Sequence, residues 1–160
     1  MVDCSCWRSR DKTPNIGYNS YWSRRSLFEA FDFQTSSNII LRGYRLWNDR
    51  RLFPNHNNIT IQLYEGNATI ASKSLTYDTR FPRKKTFEVY FSRHIYLVAG
   101  VNYTALVRLP KSSYIAENIG VNYNFCSGVN VAFMKSSLKV PKRSSYVHQI
   151  PALIFLGLKC

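Results

Sequence analysis

Apolar and polar residues alternate with a period of two along much of this chain, most plainly between Phe87 and Leu109. Phe87, Val89 and Phe91 form one run, Ile95 and Leu97 a second, and Tyr103, Ala105, Val107 and Leu109 a third. A strand sends successive side chains to opposite faces, so each run can bury one face and wet the other. Ser92, Arg93 and His94 separate the first two runs, and Ala99 and Gly100 the last two. Both breaks are compatible with turns. The pattern predicts a three-strand β meander inside an all-β module.

The same period recurs on either side. Phe31 and Phe33 open the periodic region, and Ile39 and Leu41 follow a polar turn over 35–38. Gly43 is expected to end that strand or to allow a bulge before Leu46 and Trp47. Ile59, Ile61 and Leu63 alternate with Thr60, Gln62 and Tyr64, then Glu65, Gly66 and Asn67 close the strand and 70–75 returns antiparallel. Further strands are expected over 120–125, 129–133 and 150–158, with loops over 53–58, 78–85, 110–118 and 135–146. No helical period appears, apart from a turn or two over 23–30. Roughly ten short strands, with turns every 10–15 residues or so, predict a two-sheet antiparallel β-sandwich of jelly-roll type. Residues 1–21 read as an N-terminal segment, partly packed or flexible, and 22–160 as the sandwich.

A chain of 160 residues suits one domain, and 45% hydrophobic with 15% aromatic residues excludes disorder. No apolar run approaches the ~18 residues that span a bilayer. The first twelve residues lack the apolar core of a signal peptide, so a cytoplasmic location is expected. The net charge of +13 raises the question of nucleic acid or another polyanion. The basic groups, at Arg24–Arg25, Arg50–Arg51, Arg83–Lys85 and Lys139–Arg143, are spread along the chain and near turns, which favours a soluble basic surface. The aromatics alternate with apolar neighbours and read as core rather than as a stacking platform for bases.

Cys4 and Cys6 have CxC spacing, but no second CxxC or His pair completes a zinc site. With Cys126 and Cys160 they are expected to be reduced thiols of a cytosolic protein. Three N-x-T sequons, at Asn58, Asn67 and Asn102, carry little weight without a signal peptide. No paired acids, GxSxG elbow, phosphate-binding Gly loop or HExxH occurs, and His56, His94 and His148 stand in or beside loops without ligand spacing. An enzyme, a metal site and a cofactor are therefore not expected.

Four segments carry a resemblance to a known family. Phe31 and Phe33 followed by Ile39, Leu41, Gly43 and Leu46 resemble a paired-strand motif, I-x-F…I-x-L-x-G-F-G-L-Y-G. Ile59 to Tyr64 is similar to V-x-I-x-L-Y. Phe87 to Phe91, Ile95 and Ala99 to Ala105 resemble F-x-V-x-F-x-x-P-I-x-L-x-x-G-V-x-Y-T-A, and Gln149 to Phe155 resembles G-Q-I-P-x-I-L-F. These are the motifs of the PHR domain, a β-sandwich module of Highwire-type ubiquitin ligases and BTB-domain adaptor proteins. The resemblance spans about residues 22 to 157 and implies a non-enzymatic, cytosolic module that recruits a protein partner or substrate for ubiquitin ligation. Arg45, Trp47 and Asn48 depart from its glycine-rich turn, His148 replaces a Gly, and Lys139, Lys142 and Arg143 make the last loop basic. Loops carry specificity while strands carry packing. Arg45, Trp47, Arg50, Tyr114 and Tyr146 are therefore the candidate partner-binding residues, since Arg and aromatic side chains dominate binding hot spots. The alternative is a jelly-roll module that binds polyanions or glycans.

Overall fold

The computed structural model describes residues 1–9, 27–47, 56–78, 86–109, 121–138 and 150–160. Their ten strands are β1 (Val2–Trp7), β2 (Leu27–Thr35), β3 (Ile39–Trp47), β4 (His56–Glu65), β5 (Ala68–Asp78), β6 (Thr86–Leu97), β7 (Tyr103–Leu109), β8 (Tyr123–Cys126), β9 (Val129–Lys135) and β10 (Ala152–Gly157). They form a four-stranded sheet, β1-β10-β3-β6, and a six-stranded sheet, β5-β4-β7-β2-β9-β8, antiparallel throughout. This is the all-β sandwich expected.

The alternating apolar residues face inward as their period dictates. Leu41, Tyr44, Leu46, Val89, Ile95, Leu153 and Phe155 of the smaller sheet meet Phe31, Phe33, Ile61, Leu63, Ala105, Val107 and Val131 of the larger one in a single buried cluster. Tyr44 packs edge-on against Phe91, and its hydroxyl donates to the Gln62 carbonyl of the opposite sheet at 2.7 Å. Burial raises that phenol well above its ordinary pKa, so it stays a donor.

Three expectations change. The region 87–109 is not a meander: β6 lies in the four-stranded sheet and β7 in the six-stranded one, so the turn after Leu97 crosses between layers. Ser92, Arg93 and His94 do not end a strand. Leu41 pairs with Ile95 but Gly43 with Tyr90, so these exposed residues bulge from a continuous β6. Gly43 sits where this bulge draws the backbones together: a Cβ there would lie 1.9 Å from the Val89 carbonyl oxygen. Within 1–21, residues 2–7 form β1, an edge strand paired with β10. Of 23–30, residues 27–30 belong to β2 rather than to a helical turn.

The cysteines are not reduced thiols. Cys4 pairs with Cys160 and Cys6 with Cys126, leaving no free cysteine, at Cα separations of 5.4 and 5.5 Å. Cys4 and Cys6 are two apart on β1 and therefore share its inward face. The Cys6–Cys126 bond joins β1, the edge of one sheet, to β8, the edge of the other. Two hydrogen bonds reinforce this seam, Asn124 Nδ2 to the Trp7 carbonyl (2.9 Å) and Val121 N to the Arg8 carbonyl (2.7 Å). At the opposite seam the β6 bulge reaches β5: Lys73 Nζ donates to Ser92 Oγ (3.1 Å) and Arg93 Nη2 to the Ile70 carbonyl (2.6 Å). One side of the sandwich is closed covalently and the other by hydrogen bonds.

Candidate interaction faces

Beyond the apolar core cluster, four places stand out among the described residues. On the outer face of the four-stranded sheet, β3 projects Arg42 and Arg45 between β1 and β6. Arg42 Nε donates to Asp3 Oδ1 (3.2 Å), and its guanidinium lies 5.5 Å from the Tyr90 ring centre. Tyr90 donates to Glu88 Oε2 (2.6 Å), and Glu88 Oε1 receives Arg45 Nη2 (2.5 Å). Arg45 also donates to Ser5 and Thr86, both at 3.2 Å, and stands 5.7 Å from the Trp7 ring centre. Burial, then the Glu88 hydrogen bond and charge, push the Tyr90 phenol up to about 12 despite Arg45. To reach β1, both arginines must cross β10. Ile154 of β10 faces outward yet is 1% exposed, as expected when arginine stems lie over it.

This layer alters the reading of the candidate residues. Arg45 is on a strand rather than a loop, and its guanidinium is engaged on β1 and β6. The two arginines and the two carboxylates, Asp3 and Glu88, balance within the layer. Trp47 ends β3 at 6% exposure, with no hydrogen-bond partner for Nε1 among the described residues. Arg50, Tyr114 and Tyr146 lie outside the described residues.

A second place is inside the sandwich. The Arg8 guanidinium donates to Glu29 Oε1, and Arg8 Nε donates to the Ile150 carbonyl at 3.2 Å. The Ile150 N–H returns to Glu29 Oε2 at 3.1 Å, and Arg8 stacks 4.0 Å from the Phe31 ring centre. Burial raises the Glu29 carboxyl to about 7, against the opposing pull of Arg8. The third place centres on Asp32, buried on the other side of β2. It accepts Asn102 Nδ2 (2.7 Å), Thr104 Oγ1 (2.6 Å) and Ser137 N (3.1 Å), tying β7 and the end of β9 to β2. In both clusters the acid is bonded by neighbouring groups of the chain itself. Among the described residues, no group of three His, Cys, Asp or Glu could hold a metal ion.

The fourth place was missed from sequence. Tyr123 and Phe125 on β8 are 73% and 65% exposed, with Met134 of the adjoining β9 also exposed. The sequence predicted a strand over 120–125 and read the aromatics in general as core, with nothing to mark these two as exposed. Here the period is real, but Cys126 points to β1 and the aromatics point to water. Exposed aromatics on a braced edge strand are the arrangement expected of a contact surface.

The molecule is thus a two-sheet antiparallel β-sandwich with an aromatic edge and, among the described residues, no helix long and apolar enough to cross a membrane. The PHR domain family matches residues 15–156, and the chain belongs to that family. No curated protein matches the chain.

Proposed function

We propose that this PHR domain is a non-enzymatic module that recruits a protein partner through the edge formed by β8 and β9. The observation that carries the reading is the pair Tyr123 and Phe125, exposed on a strand that a disulfide holds in place. Pre-organised aromatic side chains lose little entropy on docking, and such residues supply most of the energy of interfaces. The net charge of +13 favours a partner with an apolar pocket and an acidic surround.

The resemblance ties recruitment to ubiquitin ligation in the cytosol. The pairing of all four cysteines weighs against that half, so our reading keeps recruitment and leaves the ligase link aside. A tagged chain and its Tyr123→Ser/Phe125→Ser variant would be used as parallel baits in whole-tissue extract, and the affinity of each recovered partner measured. Two hot-spot aromatics at about 2 kcal/mol each imply a loss of hundredfold or more, roughly, in the variant, with unchanged thermal stability. A partner bound equally well by both baits would remove β8 from the interface. No saturable partner at all would remove the recruitment reading.

One observation favours polyanion binding as a second reading. The strands flanking the stretches 10–26, 48–55, 79–85, 110–120 and 139–149 present their ends to the same end of the sandwich. Those stretches contain 14 of the 22 Lys and Arg residues but 3 of the 9 acids.

A further inference from the structure

Three features converge on one conclusion about where this chain matures. Every cysteine is paired, and both bonds join positions far apart in sequence, 156 and 120 residues. Structural disulfides form and persist in oxidising compartments and are rare where glutathione keeps thiols reduced. The three sequons are the second feature, and the fold separates two of them sharply. Asn102 is committed: its Nδ2, the atom a glycan would occupy, donates to Asp32 Oδ2 at 2.7 Å, and the Thr104 of the same sequon donates to Asp32 Oδ1. A sugar there would displace the contacts that fasten β7 to β2.

Asn67 is the opposite case. It is the second residue of the two-residue turn between β4 and β5, after Gly66 with φ +59°, the residue and sign a type II′ hairpin turn requires. Asn67, Ala68 and Thr69 are all exposed, and a Cβ on Gly66 would meet nothing within 4 Å. This open turn is the third feature. N-linked glycans are bulky and sit on surface loops of proteins that traverse the secretory route.

We propose that this PHR domain matures in an oxidising, secretory-type compartment, closed by two disulfides, and that Asn67 is its N-glycosylation site while Asn102 stays bare. Each bridge forms as two thiols lose two protons and two electrons to the disulfide of a thiol–disulfide oxidoreductase, which leaves as a dithiol. At Asn67 the side-chain nitrogen bonds to the anomeric carbon of a lipid-diphosphate-linked oligosaccharide. That nitrogen loses one proton, and the lipid diphosphate departs.

The test uses the full chain from its natural source. Thiols are alkylated before any reduction, and the protein is then digested and mapped by mass spectrometry. The expected result is no alkylated cysteine, with the peptide holding Cys4 and Cys6 linked to those holding Cys126 and Cys160. Glycopeptide mapping should show a glycosidase-sensitive mass at Asn67 and none at Asn102, and Asn67→Gln expressed in the same cells should lose that mass. Because Asn67 is on an exposed turn, the variant should keep the parent's melting temperature. Alkylated thiols in the natural chain would overturn the compartment. A bare Asn67 beside intact disulfides, or an occupied Asn102, would overturn the site assignment. Neither result depends on whether β8 binds a partner.

Discussion

Glu29 shows what one buried acid imposes on the molecule. Its folded pKa of about 7 lies above the ordinary 4.5 because burial outweighs the attraction of Arg8. Between those values the folded chain holds a proton that the unfolded chain has released. The contribution is therefore complete below about 4.5 and declines as pH rises through 7. Urea unfolding at both ends of that window should show a loss on the order of 3 kcal/mol in the parent that is absent from Glu29→Gln. Equal pH slopes in the two proteins would mean that Arg8 keeps the carboxylate charged throughout. Neither partner was legible in the sequence. Glu29 counted as one of several isolated acids, and Arg8 stands 21 residues away in a segment without period.

At the scale of elements, the bulge of β6 sets both the tightest backbone approach and one of the two seams. It pushes Ser92 and Arg93 out to β5 and brings Val89 against Gly43. Gly43→Ala should cost about 1–3 kcal/mol, the usual range for overpacking, read as a lower urea midpoint with an unchanged slope. A neutral result would mean that the bulge can slide. Strands with inward Ile, Leu, Val and Phe, such as β4 and β7, were legible because their period is the fold's own. The bulge was not, because Phe91 and Ile95 keep the same parity across it while the partner register jumps. β1 was also hidden: its inward residues are Cys4 and Cys6, too few and too small to mark a strand, and they are tied down by sulfurs more than 100 residues away. In the chain-entropy account, closing a loop of 120 residues is worth about 4–5 kcal/mol. That is enough to hold an edge strand with so little apolar surface.

For the whole molecule, charge and topology act together. The outer layer of the four-stranded sheet is internally balanced, whereas most of the basic excess belongs to stretches tethered at one end of the sandwich. If that asymmetry binds polyanions, retention on heparin at about 0.15 M salt, a near-physiological ionic strength, should fall steeply as salt rises. No retention, or a flat salt response, would dismiss that reading. The sandwich and its family were legible from motif order. The aromatic edge was not, because an exposed Tyr-x-Phe has the same alternation as a buried one, and a partner across a disulfide decides which way it faces.

The bond between Cys4 and Cys160 has one more consequence. It closes the backbone from residue 4 to residue 160 into one covalent circuit. A protease that cuts once at any turn within that circuit opens it without releasing a fragment. The nicked product keeps its full covalent mass until a reductant separates the pieces, so the domain can survive a single cleavage as one molecule.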